Sequence, residues 1–173
     1  MNRVKNSFIE ATFVSEITEP LALDATDLRI LDQLQRDASL TNQALAAAVH
    51  TSPATCLRRV KRLMDTGVIE RQVALLNPDR LGASLGAIAE VTLDRQGAEW
   101  LDAFEAHALP FAEVQQCYRV SPGPDFVLVL QLADMAAYAE LAQRLFTSQA
   151  NVRNVKVFFS VKRAKFHPQL PLA

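Results

Sequence analysis

The sequence predicts an α+β protein, with an N-terminal helix-turn-helix domain followed by a ferredoxin-like βαββαβ domain. Three observations predict this. Residues 23–66 hold three short stretches with helical spacing of apolar residues, the third opening on Ser52-Pro53. An Asn77-Pro78-Asp79 stop then interrupts the chain. Beyond it the patterns run strand, helix, strand, strand, helix, strand, the order of a ferredoxin-like fold with two helices on one face of an antiparallel sheet. With 173 residues, half of them apolar, the chain can form one ordinary domain or two small ones and bury a sizeable core.

Residues 1–22 lack clear periodicity and end at Glu19-Pro20, which suggests a poorly ordered arm or a short strand. Asp24, with Asp27 three residues on, is an N-cap for a first helix of about 12 residues that carries Leu28, Ile30, Leu31 and Leu34. Thr41 caps an Ala-rich second helix from Asn42 to Val49, and His50 and Thr51 break it. Ser52-Pro53 starts the third helix, because Ser accepts a free backbone N–H and Pro takes the first helical position without losing a hydrogen bond. That helix runs to Asp65 or Thr66, and Gly67 ends it. Val68 to Leu76 is expected to be a strand.

In the second half, Leu85, Ala87, Ala89, Val91 and Leu93 share one face of a strand, and Trp100, Leu101, Phe104 and Ala108 mark a helix that Pro110 ends. Val114–Val120 and Phe126–Leu132 are strands joined through Ser121-Pro122-Gly123-Pro124-Asp125. Asp134 caps a helix with Tyr138, Leu141, Leu145 and Phe146, and Val152–Val161 is the last strand. Both faces of that strand carry Phe and Val, so a second subunit is expected to cover the face the helices leave open.

No apolar run approaches the ~18 residues of a membrane span, and the N-terminus lacks a signal-peptide pattern, which points to a cytoplasmic protein. Cys56 and Cys117 stand far apart without CxxC or CxxH spacing, so neither a disulfide framework nor a zinc site is expected. His50 is expected to serve as a turn residue between helices, and no histidine falls in a metal pattern. No phosphate-binding Gly motif or nucleophile–base pattern is visible, so neither a catalytic residue nor a cofactor is expected.

The net charge of −1 speaks against nucleic acid as a partner, yet the average hides a local imbalance. No acidic residue lies between Asp37 and Asp65, whereas Arg58, Arg59, Lys61 and Arg62 fall within five positions. On a helical wheel Leu57, Val60, Leu63 and Met64 take the core side, with Cys56 at its border. Thr51, Thr55, Arg58 and Arg62 fall opposite, flanked by Ser52 and Arg59 on one side and Lys61 on the other. Such a helix can lie in a major groove of double-stranded DNA, offering hydroxyls and guanidinium forks to bases and phosphates. A solvated basic face is the plain alternative.

Leu23-Asp24-x-x-Asp27-x-x-Ile30-Leu31, Ser52-Pro53-x-x-Cys56-x-x-Arg59-Val60-x-x-Leu63, Gly67-x-Ile69, Leu76-Asn77-Pro78 and Leu81-Gly82 resemble, in that order, the Lrp/AsnC family of bacterial regulators. The resemblance implies an arm over 1–22, a DNA-binding domain with a connecting strand over 23–80, an effector-binding and oligomerisation domain over 81–165, and a tail over 166–173. It also implies dimers that associate further, often to octamers, and control by an amino acid or related small molecule. Ser121, Gly123 and Asp125 are the effector candidates it suggests, although they also suit a tight turn. The chain departs from the family pattern at Pro122, which stands where Gly is usual, and at Val155 and Val157, where hydroxyls are common. Two other function classes stay open: an enzyme built on the ferredoxin-like domain, and an architectural protein that wraps DNA with little sequence preference.

Overall fold

In the computed structural model, which describes residues 22–82 and 85–172, the chain divides into two units. The first takes in the described residues up to Val73 and the tail from His167; the second spans Ala74–Phe166. The expected arm lies outside the described residues, apart from its last position.

Helices α1 (Ala25–Arg36), α2 (Asn42–Ala48) and α3 (Pro53–Asp65) form the first unit. Asp24 starts α1 with a reciprocal cap: its carboxylate accepts from the Thr26 and Asp27 N–H groups, and the Asp27 carboxylate accepts from the Asp24 N–H. Thr41 and Ser52 cap α2 and α3 as their sequence positions predict. Ile30, Leu31, Leu45, Ala46, Val49, Cys56 and Leu63 pack into one core. The α2–α3 turn closes through His50, whose φ of 56° is the left-handed conformation usually given to glycine, and the Thr51 N–H reaches back to the Ala46 carbonyl at 2.9 Å.

Gly67 ends α3 at φ +74°, its N–H bonded to the Met64 carbonyl at 3.0 Å. No heavy atom lies within 4 Å of where a Cβ would stand, so the requirement is purely one of backbone conformation. Gly67→Ala should therefore cost about 1–2 kcal/mol, read as a lower denaturant midpoint with an unchanged native spectrum.

The expected strand over Val68–Leu76 does not form. A strand needs a paired neighbouring strand, and this segment has none among the described residues; the Ile69 N–H goes back to the Leu63 carbonyl at 2.9 Å, and Val73, Leu75 and Leu76 are exposed along an irregular run. The tail packs against α1. The Gln35 side-chain amide donates to the Leu170 carbonyl at 3.2 Å and accepts from the Leu170 N–H at 2.6 Å, while the Gln169 side chain donates to the Gln35 carbonyl at 3.0 Å. Gln35 thus imitates a strand partner for the last residues. Gln35→Ala should lower the stability of this unit by about 1 kcal/mol, measured by urea unfolding.

The second unit has the ferredoxin-like order: β1 (Leu85–Leu93), α4 (Ala98–Ala108), β2 (Val114–Arg119), β3 (Phe126–Leu132), α5 (Met135–Ala142) and β4 (Val152–Phe159). Its antiparallel sheet runs β2-β3-β1-β4. Alternation decides the faces: Ala87, Ala89, Val91, Leu93, Phe126, Leu128, Leu130 and Leu132 are buried with residues of both helices. Past α5 the helix widens into a π-helical segment, Gln143–Thr147, in which consecutive Leu145 and Phe146 are both buried. The strands β2 and β4 stop one and two residues short of their expected ends.

The opposite sheet face carries an apolar row, since Phe158 stands beside Ile88 and Ile88 beside Val129. Phe158 and Ile88 are 44% and 45% exposed. Next to that row, Lys156 and Glu90 are register partners.

Candidate nucleic-acid interface

Helix α3 is held at both its start and its inner side. The Ser52 Oγ accepts from the Thr55 N–H at 3.2 Å and donates to the Thr55 Oγ1 at 2.9 Å, and the Asn42 side chain donates to the Pro53 carbonyl at 2.9 Å. Cys56 and Leu63 are fully buried and Val60 packs beside them. Burial pushes the Cys56 thiol up, so it stays protonated and acts as a packing group.

The core side indicated by the wheel of apolar residues holds for Val60 and Leu63, with Cys56 beside them, but not for Leu57 and Met64. Leu57 and Met64, expected inside, are 60% and 41% exposed. The reason lies on α1. Asp27 is only 1% exposed, and its carboxylate accepts from Arg59 Nη1 at 2.9 Å and from Arg62 Nη2 at 2.5 Å. Arg59 Nη1 also reaches Asp24 at 2.7 Å. The Arg59 and Arg62 side of α3 thus turns toward α1 to meet a buried carboxylate, and the helix is rotated so that Leu57 and Met64 come out.

Burial pushes the Asp27 carboxyl up, but hydrogen bonds from Arg59, the Asp24 backbone and Arg62 outweigh it and hold the group below its ordinary value. Asp24 is lowered from 3.8 to about 2, mainly by the Asp27 backbone N–H and then by Arg59.

This pairing sorts the expected DNA-contacting residues. Arg58 and Lys61 lie on the exposed face and have no ion pair or hydrogen bond with another described residue. Arg59 and Arg62 are engaged by Asp24 and Asp27, which cancels much of their charge. Ser52 is exposed at the helix start, whereas Thr51 and Thr55 are half-buried beside it. Ala54 and Leu57 join the outward face, although the wheel places Leu57 inside. The buried Asp27 opposite two arginines is the signal that could have placed them, had its burial been visible.

The effector candidates sit on the β2–β3 turn. Ser121 and Gly123 are exposed, with Gly123 at φ +125°. Asp125 serves the fold: its carboxylate accepts from the Leu93 N–H at 2.7 Å and from Gln96 at 3.3 Å, and its own N–H donates to the Val91 carbonyl at 2.9 Å. Among the described residues no group of His, Cys, Asp and Glu could hold a metal ion, and no helix is long and apolar enough to cross a membrane.

Comparison with known proteins places both units. Residues 23–70 match the family model for a winged helix-turn-helix DNA-binding domain, and residues 86–170 match that of the Lrp/AsnC ligand binding domain. The leucine-responsive regulatory protein of Haemophilus influenzae is 38% identical over 144 residues, covering 83% of this chain and 87% of that protein. The chain belongs to the Lrp/AsnC family. It is a DNA-binding transcriptional regulator with a ligand-binding domain. Among its Lrp/AsnC relatives, the transcriptional activator DecR of Escherichia coli K12 is 33% identical over 150 residues, which is 87% of this chain and 99% of that protein. A Neisseria meningitidis regulator solved in complex with L-Met superposes with a TM-score of 0.81 at 32% identity, covering 87% of this chain and 97% of that one.

Proposed function

We propose that this Lrp/AsnC regulator reads its operator with the outward face of α3, with Arg58 at a base edge and Lys61 on a phosphate. One observation carries the reading: these are the cations of α3 that no carboxylate neutralises among the described residues, on a face without an acidic residue before Asp65. Ser52 and Thr51, at the helix start, approach the phosphate backbone, and Thr55 supports Ser52. Arg59 and Arg62 position the helix. Arg58→Ala should weaken operator binding by about 1–3 kcal/mol, and Lys61→Ala should lower the salt slope by about one. Unchanged binding in both variants, with the fold intact, rejects the face. A steep preference for operator over random DNA across a salt series separates this reading from architectural wrapping.

The protein acts in the cytoplasm, without catalysis, and its second unit takes an amino acid or related small molecule. The L-Met complex of the Neisseria regulator supports this ligand class. Ser121 and Gly123 remain free to meet a ligand, while Asp125 holds the turn that presents them. A thermal-shift screen of amino acids at rising concentration tests it: stabilisation should follow RT ln(1 + [L]/Kd), and no shift with any amino acid rejects the class.

Assembly completes the proposal. A second copy covers the open sheet face along Phe158, Ile88 and Val129, giving a symmetric dimer with two reading helices, able to associate further to an octamer.

A further inference from the structure

The outward face of α3 carries a side chain that neither the fold nor the proposed phosphate contacts use. Leu57 stands 60% exposed in the middle of the helix, between Ala54 and the cations Arg58 and Lys61. A single exposed leucine means little by itself. Its setting does mean something here. Leu57 and Ala54 are one turn apart on the same face, so the leucine has a small neighbour and stands clear of the helix. The surrounding charge is positive and unneutralised, which suits a polyanion and not an apolar protein surface. The apolar group that a duplex offers in its major groove is the 5-methyl of thymine.

We propose that Leu57 is a specificity-determining residue that packs on the 5-methyl group of a thymine in each operator half-site, beside the base that Arg58 contacts. The proposal rests on α3 being the DNA reader. Packing on the methyl group adds sequence information at a second base, beside the one Arg58 reads, which Lys61 on a phosphate cannot supply.

The test uses the full chain and a duplex that the wild-type protein selects from a random-sequence pool. Each thymine is replaced singly by deoxyuridine, which removes the methyl group and leaves the hydrogen-bonding edges intact. Replacement at the contacted thymine is expected to weaken wild-type binding about three- to fivefold, the effect of no longer burying one methyl group. Leu57→Ala, an exposed change to a good helix former, removes the contact in both half-sites, so it should bind the thymine duplex weaker by at least that factor and no longer distinguish thymine from deoxyuridine there. A wild-type protein indifferent to every deoxyuridine overturns the proposal. So does a Leu57→Ala variant that keeps the wild-type deoxyuridine profile, whether or not its sedimentation changes because two copies had met at this leucine. Arg58→Ala in the same assay keeps the two ideas apart. If it loses binding while Leu57→Ala keeps the wild-type profile, α3 still reads DNA and only the packing on thymine falls; if both variants bind as wild type, the reading of α3 falls too.

Discussion

Asp27→Ala is expected to destabilise the first unit by about 3 kcal/mol, a loss comparable to truncating one of its buried core leucines. The carboxylate is buried and accepts from two arginines and one backbone N–H. Removing it leaves those donors unpaired and opens a gap beneath α1. The cost stays near the low end for a broken buried ion pair because Arg59 keeps Asp24 and Arg62 reaches solvent. Asp27→Asn keeps the volume and some acceptor capacity, so it should lose less. Replacing Asp27 and Arg62 together by leucines should recover much of the loss, since apolar substitutes for a buried pair are often neutral. Urea unfolding, with hydrogen exchange to locate the change within Ala25–Asp65, measures all three variants. Equal midpoints for wild type and Asp27→Ala would remove the ion pair from the account of this unit.

The same cluster sets an acid limit. Asp24 and Asp27 have folded values below their ordinary ones, so their contribution is complete above about pH 4 and fades as the pH falls toward 2. In Asp27→Asn, stability should fall less over that range, because one of the two depressed carboxylates is gone.

How far the sequence was legible depended on how far each decision reaches along the chain. The caps at Asp24, Thr41 and Ser52 and the stop at Gly67 are local, and each stands where its residue type demands. The strands Leu85–Leu93 and Phe126–Leu132 were legible because alternation over several residues fixes one buried face. The rotation of α3 was not. It depends on a carboxylate 32 and 35 residues away that attracts Arg59 and Arg62 more strongly than the core attracts Leu57 and Met64. Val68–Leu76 failed for a related reason, since apolar composition cannot provide the neighbour a strand requires. The docking of the tail on Gln35 joins residues 135 positions apart and leaves no trace in either segment's pattern.

If a second copy covers the open sheet face as proposed, Phe158→Asp is expected to leave the protein monomeric at micromolar concentration and to abolish tight operator binding. Phe158 faces away from the helices, on the side of the sheet that Ile88 and Val129 share, so the substitution spares the core against which Val155 and Val157 pack. In a monomer the new carboxylate would stay hydrated and cost little. Against a second copy it would lose its water beside Ile88 and Val129, and a carboxylate buried there is costly even with the Lys156 ammonium, which lies 4.7 Å from the centre of the Phe158 ring, beside it. A two-fold interface repeats that cost, because each change occurs on both sides. DNA affinity should fall with it, since one recognition helix without its partner loses the second half-site and the gain in effective concentration it brings. Analytical ultracentrifugation and operator titration of the same sample check both effects. A variant that sediments and binds as wild type would mean that the row from Phe158 to Val129 lies outside the interface, whereas monomers with intact melting behaviour would place the second copy on this face.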